Sequence, residues 1–578
     1  QTVTSKGDRV LLLYAPGLDF VVGFLACLYA GVIAVTAYPP ASRRHLPRLR
    51  SLAADAEPSV ALSTADLLPK LRAARLPELE SVTWLAGDTV DDDEAAAWRP
   101  HTPSPDDLAF LQYTSGSTAA PKGVMVSHGN LMHNEEVIRR GFGTQSDDII
   151  VGWLPLYHDM GLIGNVLHPL YLGARCVLMA PVAFLQQPRR WLDAIHTWRG
   201  TVSGGPNFSF DLCVAKVGVD ERPAVDLSSW RLAFSGAEPV RASSLDGFAR
   251  AFAPAGFRKT AFFPCYGMAE TTLMATGGPA EDDPVTTSFD EIALADDRAV
   301  PATGENSRTL IGCGVHGWEL DVTVVDPVTL ERVDDGNVGE VWVRGDSVAR
   351  GYWRNPERTA SDFAARLADQ PDSSGTWLRT GDLGFVHGAQ LFPTGRLKDL
   401  IIVRGRNHYP QDIELTAEDS HGSIRRGCSA AFGIDDDGEE RLVIVAELLR
   451  HPSDEPDVIA DAVRRAVAAT HQLQVHDVTL IRTGSILKTS SGKIRRSACR
   501  DAWRAGEFPV LTASVTSSET ETDVIGSELR LDRAALDQVA PAEARTLLVR
   551  WLVDRFARLA RVAVRDVDPT IPLTAQGL

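Results

Sequence analysis

From residue 1 to about 395, short apolar runs alternate with amphipathic stretches of helical spacing. The runs at 10–14, 32–37, 149–154, 174–179 and 231–235 read as strands, and the alternation predicts α/β layers. From about 310 the pattern turns to β, with short strands at 321–325 and 340–344 and turn signals such as Asp335-Gly336. A smaller unit is predicted over roughly 397–510. It holds strands at 400–403 and 442–447, the hairpin signal Asp437-Gly438, and the polar loop Lys488-Thr489-Ser490-Ser491-Gly492-Lys493. Residues 511–540 read as a linker, because 512–530 are rich in Ser, Thr and Glu and poor in aromatics. An amphipathic helix is predicted over 541–562, with Leu548, Leu552, Phe556 and Leu559 on one face. The sequence has no internal repeat.

The apolar stretch 20–38 has the length of a membrane span, but Gly31 and Pro39-Pro40 break it and basic flanks are missing. A buried helix running into a buried strand is expected there, with no cleavable signal before it and no stable membrane insertion. The 578 residues are 44% hydrophobic and 23% charged, ordinary for a globular enzyme. A net charge of −18 argues against nonspecific nucleic-acid binding, which needs clustered cations. Only 8 of the 58 basic residues are lysines, and Lys122, Lys398, Lys488 and Lys493 all fall in the motifs below. Seven scattered cysteines form no CxxC pair and read as reduced thiols of a cytoplasmic protein. No HExxH or compact His/Cys cluster points to a transition metal.

The strongest chemical signal is YTSGSTAAPKG at 113–123. Small hydroxyl and glycine residues let backbone N–H groups approach phosphate oxygens, and Lys122 adds positive charge. It is not a Walker A loop, since GK[ST] is absent. Six more motifs follow in order: WLPLYHDMG (153–161), SGAEPV (235–240), YGMAET (266–271), RTGDLG (379–384), GRLKDL (395–400) and KTSSGKIR (488–495). Singly, the Asp of RTGDLG would be a turn residue and Lys493 a solvated surface charge. Their occurrence together resembles the adenylate-forming superfamily of acyl-CoA synthetases, nonribosomal adenylation domains and luciferase. The strings DLIIVRGRNHYPQDIE (399–414) and SGGPNFSFDLC (203–213), with an extra segment at about 279–308, resemble the fatty acyl-AMP ligases in particular.

The resemblance implies a fold and a set of roles. The fold would be a large N-terminal domain (1–396) of α/β layers plus a small β-barrel, then a smaller, mobile α+β domain (397–510). The activity would be ATP- and Mg2+-dependent conversion of a fatty acid to acyl-adenylate, for delivery to the phosphopantetheine arm of an acyl carrier protein. Thr114, Ser115, Gly116, Ser117, Thr118 and Lys122 would hold the β- and γ-phosphates, with Thr118 and Glu270 at the metal. Gly236, Ala237 and Glu238 would contact adenine through their backbone, Tyr266 would stack on it, and Gly267 and Met268 would complete the nucleotide site. Asp382 and Arg396 would bind the ribose, Lys398 would be the hinge, and Lys493 would bridge the carboxylate and the α-phosphate. His158 either lines the acyl entrance or is structural, and Phe208, Phe210 and Leu212 point to an apolar channel. The insertion would disfavour CoA use.

The sequence departs from the superfamily pattern at Ala119, Ala120 and Leu487, none of which removes a functional side chain. The GxGxxG match at 312–317 is followed by a strand-like segment rather than a helix, so it is no dinucleotide site. Residues 541–578 resemble the opening of an acyl carrier domain that ends before its modified serine, with the carrier fused downstream. The alternatives are a CoA ligase or an amino-acid adenylation domain, and a catalytically silent acyl-binding scaffold. Intact Lys493, Glu270 and Asp382 argue against the scaffold.

Overall fold

The structure, a computed structural model, describes residues 2–40, 46–114, 122–304, 306–314, 320–371, 375–403, 406–436, 439–489, 492–515, 545, 548–553 and 555. The chain divides into two compact units, Gln1–Lys398 and Asp399–Leu578.

Two six-stranded sheets form the body of the first unit. One runs in the order Thr83–Ala86, Val60–Ser63, Arg9–Leu12, Ile33–Thr36, Leu108–Thr114 and Lys122–Ser127. The other runs Met274–Gly277, Phe262–Gly267, Leu232–Ser235, Val202–Gly204, Ile149–Gly152 and Arg175–Leu178. Each sheet is parallel except at one edge strand, Lys122–Ser127 in the first and Met274–Gly277 in the second. Both reversals follow a motif turn, so the two turns of greatest chemical interest lie where a parallel sheet changes direction.

The central strands are apolar at consecutive positions because both faces are covered. Val10 and Leu12 join the main core, while Leu11 and Leu13 pack into a second cluster with Leu49, Leu52 and Ala53. Residues 20–38 form the expected pair: helix Leu18–Ala30 ends at Gly31 (φ 70°), and strand Ile33–Thr36 follows. Among the described residues, no helix is long and apolar enough to cross a membrane.

The segment expected to form a small barrel is a four-stranded antiparallel sheet of Leu320–Val325, Gly339–Gly345, Leu378–His387 and Gln390–Arg396. Within 279–308, strand Thr286–Asp290 pairs with Ser307–Ile311 around helix Glu291–Ala295. Phe289 fixes this ribbon to the four-stranded sheet, 4.9 Å from Phe385 and 5.4 Å from Phe392 between ring centroids.

The second unit has a four-stranded sheet in the order Ile424–Asp436, Glu439–Leu448, Val475–Ile481 and Val510–Val515. Its side chains alternate between two cores: Leu442, Ile444 and Ala446 face one, Val443 and Val445 the other. The last strand corrects the domain reading, because 511–515 belong to the sheet and not to a linker. The predicted helix at 541–562 is described as helical at 548–553. Apart from 545 and 555, which are also helical, the rest of the carrier-like segment, the 437–438 turn and residues 315–317 of the 312–317 match lie outside the described residues.

Candidate functional site

In the first sheet, strand Leu108–Thr114 pairs antiparallel with Lys122–Ser127, and Thr114 faces Lys122 across the ladder. These two residues are therefore the feet of the 115–121 loop, whose residues Ser115, Gly116, Ser117 and Thr118 lie outside the described residues. Lys122 Nζ sits 4.6 Å above the Tyr352 ring centroid. Burial lowers the Lys122 pKa, because leaving water disfavours the charged ammonium. Tyr352 in turn donates its hydroxyl to Glu270 Oε1 at 2.8 Å.

Residues 349–353 place that ring. The Ala349 amide donates to the Glu270 carbonyl at 2.9 Å, and the Trp353 amide donates to the Gly123 carbonyl at 2.7 Å. The segment thus straps the edge of one sheet to the Glu270 turn of the other. Glu270 itself is buried on a single 3-10 turn, Ala269–Thr271. Burial raises its pKa, opposed by Tyr352, Arg396 and Lys122. Thr272, just after the turn, adopts φ 66°, a conformation costly for a β-branched residue. Its hydroxyl donates to the Ser347 carbonyl at 2.7 Å, which helps to hold it there.

Four residues before Glu270, the strand Phe262–Gly267 carries Tyr266. Its hydroxyl donates to Asp382 Oδ2 at 2.9 Å, and Arg396 Nε lies 3.1 Å from Asp382 Oδ1. Register explains the second contact, since Asp382 and Arg396 are directly paired between neighbouring strands. Gly267 cannot carry a side chain: an added Cβ would lie 1.8 Å from the Leu273 carbonyl. Met268, next in the chain, is the N-cap of the Glu270 turn.

On the neighbouring strand, Leu232–Ser235 runs into Gly236, Ala237 and Glu238. Ala237 has φ 70°, and a Cβ at Gly236 would be 2.9 Å from the Cys265 carbonyl. Ser235 Oγ and Glu238 Oε1 are buried with no hydrogen-bond partner among the described residues. Such atoms are costly unless something else satisfies them, and the polar edges of a bound base would suit.

Sequence reasoning missed Tyr352, Glu340, Arg379 and Trp342. Buried Glu340 accepts from Arg379 Nε at 2.9 Å, Trp342 Nε1 at 3.0 Å and the Gly381 amide at 3.0 Å. This fixes the turn that presents Asp382, with Gly381 at φ 71°. Arg379 lies within RTGDLG and could have been singled out; Glu340 had no motif to mark it.

His158 Nδ1 is 2.5 Å from its neighbour Asp159 Oδ1. Phe210 is a correction: it is fully buried among Trp191, Trp230, Phe248 and Phe262, so it builds the core instead of lining a channel. Phe208 packs edge-on against Trp153. Lys398 closes the first unit in the turn Leu397–Asp399.

In the second unit, Lys493 sits in a loop closed by its own backbone. The Thr489 amide donates to the Lys493 carbonyl at 2.7 Å, and the Lys493 amide donates to Thr489 Oγ1 at 3.0 Å. Among the described residues, no group of three or more His, Cys, Asp or Glu side chains could hold a metal ion.

The model of the AMP-binding enzyme family matches residues 3–353, and that of the Disco-interacting protein 2-like AMP domain matches 398–513. The medium-chain-fatty-acid–[acyl-carrier-protein] ligase JamA of Moorena producens is 43% identical over 526 residues, covering 87% of this chain and 88% of its own. The long-chain-fatty-acid–AMP ligase FadD32 of Mycolicibacterium smegmatis is 36% identical over 553 residues, covering 88% and 87%. The crystal structure of the fatty acyl-adenylate ligase from L. pneumophila, in complex with acyl adenylate and pyrophosphate, is similar with a TM-score of 0.68 and 41% identity over 89% of each chain. The family match spans more than half of the sequence and these relatives match over most of their length, so the chain belongs to the AMP-binding enzymes, among the fatty acyl-AMP ligases.

Proposed function

We propose that the chain joins a fatty acid to ATP, releasing pyrophosphate, and passes the acyl group to the phosphopantetheine thiol of an acyl carrier protein. One observation carries this reading: Asp382 is held between Tyr266 and Arg396, on the same unit where Lys122 and Glu270 meet through Tyr352. That is an acceptor for sugar hydroxyls and a cation for phosphates, both held by neighbouring side chains.

A fatty-acid carboxylate oxygen attacks the α-phosphorus, the bond to the β-bridging oxygen breaks, and pyrophosphate leaves with the electron pair. The acyl-adenylate is a mixed anhydride. The carrier thiolate then attacks its acyl carbon and expels AMP. Two anions must meet in the first step, so the site has to neutralise charge as it develops. Lys493 serves this at the carboxylate and α-phosphate, and Lys122, with Thr114 and the loop from Ser115 to Thr118, serves it at the β- and γ-phosphates. Asp382 accepts from the ribose hydroxyls with Arg396 beside it. Tyr266 stacks on adenine, next to Gly236, Ala237, Glu238, Gly267 and Met268. His158 lines the acyl entrance, and Lys398 is the hinge between half-reactions.

Glu270 fits Mg2+: it is a buried hard oxygen donor, and since no metal-binding cluster of side chains occurs among the described residues, the ion would share Glu270, and Thr118, with nucleotide phosphates. When bound, the ion supplies charge neutralisation on phosphate oxygens. The ribbon within 279–308 disfavours CoA, residues 541–578 open a fused carrier domain, and with all seven cysteines as free thiols the reaction takes place in the cytoplasm.

Incubation with lauric acid, ATP and Mg2+, in the presence of CoA or of a phosphopantetheinylated carrier, tests the reading. Lauroyl-AMP and acylated carrier without lauroyl-CoA are expected. Abundant lauroyl-CoA would move the protein to the CoA ligases.

A further inference from the structure

Arg496 opens the helix Arg496–Arg504, three residues after Lys493. Its guanidinium donates Nε to Glu414 Oε1 and Nη2 to Glu414 Oε2, both at 2.7 Å. A third donor, Nη1, reaches Asp399 Oδ2 at 3.3 Å. Glu414 lies on helix Pro410–Asp419 and also accepts from the Ala431 amide at 3.0 Å, which ties it to the central sheet. Asp399 is the first residue of the C-terminal unit. The three side chains are 10 to 20% exposed, so water does little to screen or replace these bonds.

The backbone links this cluster to the lysine. The Arg495 amide donates to the Leu487 carbonyl at 2.9 Å, closing the base of the 488–494 loop directly before Arg496. Upstream of the loop its neck is paired; downstream, the first side chain of the helix is the planar fork on Glu414 and Asp399. A lysine could not reproduce that fork, since its ammonium is a point charge.

We infer that Arg496 is a positioning residue for Lys493, tying the exit of the lysine loop to Asp399 so that the loop and the start of its unit turn as one body. This rests on the catalytic role proposed for Lys493. Asp399 and Glu414 are the two ends of the string 399–414, and Arg496 directly follows the string 488–495.

The test is a double-mutant cycle on the full chain, reading kcat and the KM for ATP in lauric-acid-dependent ATP–pyrophosphate exchange. Arg496→Gln should lower kcat about tenfold or more with the KM for ATP unchanged, the size expected when a catalytic group is displaced by about an ångström or less. In a Lys493→Ala background the same substitution should cost nothing further, because the group it positions is gone. A loss of equal size in both backgrounds, or a KM that rises in step, would overturn the inference and leave Arg496 a fold-holding residue. Asp399→Ala keeps the Glu414 fork and carries the same cycle should Arg496→Gln fail to fold. A Lys493→Ala variant that adenylates normally is a separate result: it sinks the reading of Lys493 itself, and the inference with it.

Discussion

Each unit holds a cluster of charge that braces a candidate site residue, and the two are built in opposite senses. In the N-terminal unit a carboxylate is the hub: Glu340 gathers the Arg379 guanidinium, the Trp342 indole and the Gly381 amide. In the C-terminal unit a guanidinium is the hub, gathering Glu414 and Asp399. The difference follows from what each cluster supports. Asp382 stands on a strand whose register already pairs it with Arg396, so only the turn before it needs bracing. Lys493 stands on a loop that, among the described residues, is closed by its own backbone and the bridge between Lys488 and Ile494, and its exit is pinned to residues far away in sequence. A site on strands is positioned by the ladder; a site on a loop needs a side chain as its anchor.

The sharpest way to break this comparison is to remove the carboxylate hub. Glu340→Ala removes the buried acceptor shared by the Arg379 guanidinium and two other donors; breaking a fully buried pair costs about 3–5 kcal/mol, and the loss here falls below that because the Arg379 side chain is 30% exposed to water. The urea midpoint of the protein should fall accordingly, and the KM for ATP should rise because Asp382 loses its brace. An unchanged midpoint would mean that the turn is held by its backbone alone.

Next in size, Lys493→Ala should lower adenylation kcat about 10²–10³-fold, the loss typical of one donor to a developing charge. Here the thermal midpoint should not move, in contrast to Glu340→Ala, because the loop backbone closes without the lysine side chain. A matching loss of stability would place Lys493 among the structural groups and erase the distinction between the two units.

The candidate site residues could be named from the sequence because motif chemistry is local: Glu270, Asp382 and Lys493 stand in strings of a few residues. Their supports could not, because register and chain crossing are not local. Glu340 reaches Arg379 only through the pairing of Gly339–Gly345 with Leu378–His387, and Tyr352 reaches both Lys122 and Glu270 only because 349–353 crosses between two sheets. Strands buried on both faces were found within a residue or two from their unbroken apolar runs, as at Arg9–Leu12 and Ile149–Gly152. Val510–Val515 was missed because its Thr and Ser positions read as the start of a polar linker, whereas an edge strand tolerates that alternation. Phe210 was misread because an aromatic beside a motif does not disclose which way it faces.

A smaller effect sharpens the role of the strap between the sheets. Tyr352→Phe keeps the ring beneath Lys122 but removes the hydrogen bond to Glu270, a bond to a charged group worth about 1.5–3 kcal/mol. The Mg2+ concentration for half-maximal adenylation should shift at least severalfold, with the KM for fatty acid unchanged. Isothermal titration of Mg2+ into the protein–nucleotide mixture gives the same answer without turnover. A shift in fatty-acid KM instead would assign Tyr352 to the acyl side of the site.

The smallest effect separates the units by their response to acid. His408, in strand Arg406–His408 of the C-terminal unit, has its pKa lowered by burial from 6.5 to about 4, with Arg406 contributing. Between those values the unfolded chain takes up a proton that the folded unit refuses, so stability is full above the unfolded pKa and is lost as pH falls through the window towards the folded one. At about pH 5.5 the loss from this group amounts to roughly 1 kcal/mol. Asp148 in the N-terminal unit responds lower: burial opposes ionisation, but Arg231, Thr201 and the Gln145 amide prevail and hold its pKa below the usual 3.8. Its contribution is present above the unfolded value and disappears only as pH falls through the lowered folded one. Hydrogen–deuterium exchange followed from about pH 7 to 5 reads both units in one sample. His408→Gln should flatten the loss of protection in C-terminal peptides and leave those around Asp148 unchanged. Equal flattening in both would mean that the two units unfold as one, and the contrast between a ladder-held and an anchor-held site would then have no counterpart in stability.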